Sequence, residues 1–379
     1  MEKNLESKKA MSLGKKSIIG LIAGLIIGAI LCFVPASTFR DDFLIGTVFK
    51  IVGNGYLNLI KMTIVPFVFG SLVMGISSAT DVRQVGRIGS KILGIYIVTT
   101  VIASAFGIIG GMILKPGAGV NLGSFDLSTE YSQVETSVAD VFLDFIPTNI
   151  VMSLTPFGVC ALMASTVANL GFDIIITLAK YCASEIFLLF LFGFVVYGIL
   201  FTVFTKQSFF KMLKKYSKIA PVPFSTTSSN ATIPYSIQFC RSVGVSEKVA
   251  AFTIPLGATL NMDGSAIMQG MTLVFVSQLY GIELTVPMLI TTIITITLAT
   301  IGSPGMPGVV MVTLTLVLQS VGFPLEVIGI IVAIDKFPDM FKTVLNVLGD
   351  AVDTIIVAKS EGEFDADVFN DVKESEVKL

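Results

Sequence analysis

The sequence predicts an all-α, polytopic membrane protein built from inverted repeats, with two re-entrant helical hairpins and broken helices. Three observations predict it. Of the 379 residues, 53% are hydrophobic and only 14% are charged, with a mean hydropathy of +0.86; soluble domains run at about 25% charged. Several apolar runs reach the roughly 18 residues that a membrane span needs. Two apolar runs in the C-terminal half are interrupted midway by polar, Gly or Pro residues. Such interruptions are tolerated at membrane depth only where protein or a water-filled cavity lines them.

Composition also excludes. There is no His, so imidazole proton relays, imidazole metal ligands and Ser-His or Cys-His catalysis are absent. Cys32, Cys160, Cys182 and Cys240 lie in or beside apolar segments without paired spacing and read as small buried hydrophobes. No basic patch suggests a nucleic-acid partner.

Residues 1–16 carry Lys3, Lys8, Lys9, Lys15 and Lys16. The apolar run 17–34 is too long for a signal peptide and lacks a clear cleavage site, so it reads as a first span with its basic end in the cytoplasm. Residues 43–79 form a second long segment, interrupted by Asn54, Asn58, Lys61 and Pro66. Arg83, Arg87 and Lys91 mark a cytoplasmic loop, and 92–114 is the third span. Residues 115–140 are polar and net acidic, as expected outside. After 141–171 and 173–204, Lys206, Lys211, Lys214, Lys215 and Lys218 bring the chain back inside. Parity then fails: an odd number of crossings must separate the two loops, yet two apolar segments lie between them. Segment 141–171 is the weaker, broken by Pro147 and Pro156. It enters and leaves on one face, or sequence is missing there.

Residues 207–241 hold the polar tip Ser225-Thr226-Thr227-Ser228-Ser229-Asn230. It suits the unwound turn of a re-entrant hairpin, or an ordinary cytoplasmic loop. The apolar run 249–280 contains Asn261-Met262-Asp263-Gly264-Ser265. An ionised Asp at membrane depth costs roughly 3 kcal/mol, so it must face protein, water or an ion. Gly264 is expected to break the helix and free backbone carbonyls. Together with the Asp263 carboxylate and the Asn261 amide oxygen they make a hard-oxygen cluster, the ligand type small cations prefer. In 286–323 the tip Thr300-Ile301-Gly302-Ser303-Pro304-Gly305-Met306-Pro307-Gly308 cannot continue a helix, which predicts a second hairpin. In the last span, 324–358, Asp335, Asp339, Lys342, Asn346 and Asp350 step by 4, 3, 4 and 4. That is one helical face, with Thr343 beside it. The stripe either forms internal ion pairs, such as Asp339 with Lys342, or lines a polar site facing the hairpin tips; intramembrane charges default to function. Hairpin, broken helix, hairpin, polar helix is an internal duplication. The basic loop near 210 makes the two units inverted, the layout of secondary transporters with the site at the breaks. The charged tail 359–379 is expected to be disordered.

Pro255-Leu256-Gly257-Ala258-Thr259-Leu260-Asn261-Met262-Asp263-Gly264-Ser265 resembles the signature of the dicarboxylate/amino acid:cation symporters, the glutamate transporter family. Asn346-Val347-Leu348-Gly349-Asp350 is similar to that family's last helix. Tyr96-Ile97-Val98-Thr99-Thr100 and Lys115-Pro116-Gly117-Ala118-Gly119 fit it too, and the resemblance covers most of 15–360. It implies secondary active, sodium-coupled uptake of acidic amino acids or dicarboxylates by an elevator motion, with no enzymatic step. It also implies a plasma-membrane, multi-pass chain with both termini cytoplasmic, surrounded by lipid and assembled as a homotrimer. Residues 1–80 would be scaffold spans, 90–114 a transport-domain span, 115–204 a loop with shortened scaffold and linking spans, and 205–358 the transport core. One Na+ would sit with Gly257, Asn261, Asn346 and Asp350, another near Thr259, Thr300, Ile301 and Ser303, and a third with Tyr96, Thr99, Thr100, Asn261 and Asp263. The substrate's α-carboxylate would meet Ser229 and Asn346, and its amino group Asp339. Ser265 and Lys342 would face its side chain; Ser228, Gly305 and Thr343 complete the expected set.

Three departures bear on function. Lys342 stands where the family usually has Arg, a mobile point charge in place of a bidentate fork. Thr227 stands where many bacterial members have Arg. Ile146-Pro147-Thr148-Asn149 runs almost directly into Thr155-Pro156-Phe157-Gly158, whereas the family has roughly one more span and part of another between these motifs. That agrees with the failed parity and shortens the scaffold that carries the trimer contacts. Two alternatives stay open, a sodium-coupled symporter of neutral amino acids (serine, threonine or alanine) and a scaffold-deleted inactive paralogue. An intramembrane enzyme using Asp263 and Asp350 as an acid/base couple fits the Gly/Pro tips and the repeat less well.

Overall fold

The computed structural model describes residues 82–119, 173–301, 310–325 and 327–373, and most of 23–49. The second span, the shortened segment 141–171 and the tip residues Ser303 and Gly305 lie outside the described residues. Helix α1 is Val82–Leu114. Helix α2, Asp173–Phe192, passes through a π turn, Gly193–Tyr197, into α3, Gly198–Thr205. Then come α4 (Phe209–Tyr216), α5 (Pro221–Thr226) and α6 (Ser229–Ser242). Helices α7 (Glu247–Leu260) and α8 (Asp263–Tyr280) are the two halves of the broken helix. Helices α9 (Val286–Thr300) and α10 (Val310–Ser320) flank the second tip. The long α11, Val327–Ser360, precedes the short α12, Ala366–Phe369. Among the described residues the one β pairing is an isolated bridge between Val245 and Phe364.

Helix α8 is the centre. It is buried along nearly its whole length, as befits a helix without a polar face. Helix α1 crosses it at glycines: a Cβ on Gly107 would lie 2.2 Å from the Ile267 carbonyl oxygen, and one on Gly270 2.6 Å from that of Ser104. Small residues let helix backbones approach in a membrane, where packing replaces the hydrophobic drive. Tyr181 docks α2 on α8, its hydroxyl 2.7 Å from Thr272 Oγ1 and its ring 4.7 Å from Phe275. Phe341 of α11 packs on Phe224 of α5 and Phe190 of α2, which seats α5 against the core. The outer faces are apolar: α9 exposes Val286, Ile290, Ile294 and Leu298, one residue per turn. The stretches Gly86–Leu114 and Ile175–Thr205 are long and apolar enough to cross a membrane.

Three expectations are corrected. The helix breaks at Asn261 and Met262, which carry non-helical backbone angles, rather than at Gly264. Gly264 lies in the first turn of α8, where a Cβ would stand 2.8 Å from the Lys342 carbonyl oxygen; it is small for close approach, not for the break. The first tip is unwound only at Thr227 and Ser228, because Ser228 caps α6 by accepting the Ala231 N–H at 3.2 Å, so Ser229 and Asn230 are already helical. Within 115–204, α2 packs on α8 and α11 and, with the π turn that follows it, brings Tyr181, Glu185 and Tyr197 to the core.

The tail is ordered through residue 373. Ser246 N–H donates to the Glu363 carbonyl at 3.0 Å, Phe369 is fully buried, and Asp371 meets Lys215 at 2.6 Å and Lys211 at 2.9 Å. Those ammoniums hold the Asp371 carboxyl down at about 2. A depressed carboxylate keeps its contact at neutral pH and loses it only as acid approaches that value. Charge composition alone misses this because Asp371 finds its lysines on α4, far away in the chain.

Gly107→Val should lower the unfolding midpoint of the detergent-solubilised protein, by about 1–3 kcal/mol if the crossing behaves as an overpacked core. Gly94→Ala is the control, since a Cβ there meets nothing within 4 Å. Equal midpoints for the two variants would refute the close crossing.

Candidate functional site

The break between α7 and α8 gathers oxygens from three helices. Asp263, Asp350 and Asp353 are 0%, 2% and 0% exposed. Asn261 joins α7 to α11: its Nδ2 donates to Asp350 Oδ1 and to Asp353 Oδ2, each at 3.2 Å. Thr99 Oγ1 donates to Asn261 Oδ1 at 3.4 Å, and Thr100 Oγ1 to Asp263 Oδ1 at 2.8 Å. Tyr197 donates its hydroxyl to Asp263 Oδ2 at 2.8 Å, and it stands in the π turn, a winding frequent at functional sites. Gly257 clears the space beside Asp350, since a Cβ there would lie 2.5 Å from Asp350 Oδ1 and 2.6 Å from the Tyr96 hydroxyl. Gly264 donates its N–H to Asn346 Oδ1 at 2.7 Å, which fastens the break to α11.

Among the described residues, no lysine or arginine forms an ion pair with any of these three carboxylates, and Asp353 Oδ1 has no hydrogen-bond donor. Buried carboxylates persist only when a positive charge or a proton compensates them. No trio of His, Cys, Asp or Glu among the described residues is placed to hold a metal. The donor set is instead mixed carboxylate, amide and hydroxyl oxygen, which suits a hard, weakly held cation.

A second cluster lies further toward the N-terminus of α11. Lys342 is 1% exposed and bonded to Asp335, with Asp339 Oδ1 at 3.7 Å and Glu185 Oε1 at 3.8 Å. Lys336 donates to Thr227 Oγ1 at 2.8 Å, tying the first tip to α11, and stands 4.0 Å from Asp339 Oδ2. Thr227 holds φ +50, unusual for a β-branched residue. Of the two readings of the stripe, internal ion pairs are therefore present, and they engage Lys342 itself.

The structure places the other expected residues as follows. Tyr96 donates to the Thr253 carbonyl at 3.2 Å, beside the carboxylates at the break. Asn346, Thr343 and Asp339 share the Lys342 face of α11, with Thr343 Oγ1 bonded to the Asp339 carbonyl. Ser229 and Ser265 are buried, the first beside Thr227 in the tip and the second one residue beyond Gly264. Thr259 and Thr300 are not brought together by any hydrogen bond among the described residues: each hydroxyl is spent on a carbonyl of its own helix. Ile301 is exposed at the end of α9.

Sequence reasoning missed Glu185, Asp353, Tyr197 and Lys336. Asp353 was within reach, one turn past Asp350 on the same face. Glu185 was visible as an acidic residue inside an apolar run, the signal that identified Asp263.

The model of the sodium:dicarboxylate symporter family matches residues 13–153 and 148–360. The two matches meet where 146–149 runs into 155–158. The chain is similar to the proton/sodium-glutamate symport protein of Geobacillus stearothermophilus, 29% identical with 94% of this chain and 96% of the relative covered. It is 30% identical to the proton/glutamate-aspartate symporter of Escherichia coli K12, with 93% and 94% covered. It is 29% identical to the C4-dicarboxylate transport protein of Laribacter hongkongensis, with 90% of each covered. The first alignment spans 415 positions although the chain has 379 residues, so that relative carries sequence this chain lacks. Since the family match runs through both the helix break and the last helix, and takes in most of the chain between them, the protein belongs to the sodium:dicarboxylate symporter family.

Proposed function

We propose that the protein is a secondary active, sodium-coupled symporter of acidic amino acids or C4-dicarboxylates. One observation carries the coupling: Asp263, Asp350 and Asp353 are buried around Asn261 with no ion-paired lysine or arginine among the described residues. Sodium entering with the substrate supplies the missing charge, and Thr99, Thr100, Tyr96 and Asn261 supply neutral oxygens around it. Lys342 receives the second carboxylate of the substrate, Asp339 its amino group, and Ser229 with Asn346 its α-carboxylate. The paired helices α5/α6 and α9/α10 act as re-entrant hairpins of inverted repeats, the second as the outer gate, and the core moves as an elevator against the scaffold half of a trimer in the plasma membrane. The names of the relatives, glutamate and C4-dicarboxylate carriers, support this substrate class.

A neutral amino acid is the second reading, favoured by the pairing of Lys342 with Asp335. Such a substrate would leave that pair intact.

In proteoliposomes, an inward sodium gradient should drive uptake of aspartate, glutamate or succinate, and choline in place of sodium should abolish it. Uptake unchanged in choline would disprove the coupling. Lys342→Ala should weaken aspartate at least tenfold more than serine, and an equal loss for both would remove its assigned role. Gly257→Ala should raise the sodium concentration for half-maximal uptake about tenfold, ~1.4 kcal/mol, because the added methyl displaces Asp350 or Tyr96. An unaltered sodium dependence would show that this space holds no ion.

A further inference from the structure

Glu185 is a poorly satisfied charge. It is fully buried, and among the described residues neither carboxylate oxygen receives a hydrogen bond. Among the described residues its close positive partner is Lys342, at 3.8 Å, beyond hydrogen-bond range. Lys342 is bonded to Asp335 and has Asp339 at 3.7 Å, while Lys336 is shared between Thr227 and Asp339. On its own helix the titratable neighbours are Tyr181, whose hydroxyl is engaged with Thr272, and Cys182. The helices α8 and α1 that pack on α2 carry Asp263 and Tyr96, and both are held in the ion cluster by Thr100, Tyr197 and the Thr253 carbonyl. The Lys342 cluster thus sets three carboxylates, Asp335, Asp339 and Glu185, against two ammoniums.

A substrate carboxylate arriving at Lys342 adds a fourth negative charge to this enclosed set. An ammonium has three donors, and Glu185 has the weakest claim on them. Stripped of Lys342, an ionised buried Glu185 would be strongly destabilising, and its neutral form removes that cost. We infer that Glu185 is a proton-binding group of the transport cycle: the incoming carboxylate replaces it at Lys342, and Glu185 takes up one proton. The step balances. A substrate carboxylate and a hydronium ion enter from solution, water leaves, and one Oε of Glu185 becomes an O–H; no bond to the substrate forms. The inference rests on the acidic-substrate reading above, and it adds that each carboxylate bound at Lys342 carries one proton beside the sodium. Serine, with no side-chain carboxylate, leaves the Glu185–Lys342 pair in place and carries none.

The test is calorimetry on the purified full-length protein at fixed sodium, with aspartate as the probe, in buffers of different ionisation enthalpy. The wild type should take up close to one proton per aspartate and none per serine. Its aspartate affinity should fall with rising pH, approaching about tenfold per pH unit for one linked proton. Glu185→Gln should show no proton uptake and a flat affinity across the same range, while Glu185→Asp should restore the uptake. Wild-type aspartate binding that is independent of buffer overturns the inference, whether or not the Gln variant folds. So does a Gln variant that keeps the wild-type proton uptake. A wild type that binds serine but neither aspartate nor succinate overturns the acidic-substrate reading, and this inference with it.

Discussion

The desolvation of carboxylates inside a membrane protein sets the terms for everything else here. One ionised Asp at membrane depth costs roughly 3 kcal/mol on insertion scales and more in simulations, and this core buries several. It answers that cost in two ways. Toward the N-terminus of α11, lysines stand among the carboxylates and compensate them from within. Around the break, amide and hydroxyl groups surround Asp263, Asp350 and Asp353 without supplying a charge. In the first cluster charge is matched by charge, and in the second the described residues supply polar groups alone.

Backbone irregularity aims both clusters. The unwound Asn261 and Met262 turn an amide and a thioether toward α11. The π turn presents Tyr197 to Asp263. Glycine does the rest: Gly257 and Gly349 leave room for Asp350 and for the Tyr197 hydroxyl, which a Cβ on Gly349 would approach to 2.0 Å. At Gly107 and Gly270 it lets α1 and α8 come close enough for Thr99 and Thr100 to reach the break. None of these glycines contributes a side chain of its own, yet they leave the space in which Asp350 and Tyr197 sit.

Much of this was legible in the chain. The 4, 3, 4, 4 stepping of the last helix put Asp335 through Asp350 on one face, and a polar cluster inside an apolar run located the break. What stayed hidden was long-range. Glu185 has no periodic partner in its own helix, so spacing says nothing about Lys342. Asp353 continues a pattern that was read one turn short. The first tip is less unwound than its run of small polar residues suggests, because Ser228 caps the next helix instead of extending the loop. The tail is held by Phe369 in a pocket of aromatic rings and by Asp371 on two lysines of α4, contacts that composition cannot foresee.

The decisive measurement is thermal unfolding of the purified protein without substrate, in sodium chloride against choline chloride at equal ionic strength. A cation that binds only the folded state raises the midpoint with its concentration. Sodium should therefore stabilise the wild type over choline, and Asp350→Asn should blunt the gain. A wild-type midpoint identical in the two salts would mean that the buried carboxylates at the break are compensated some other way.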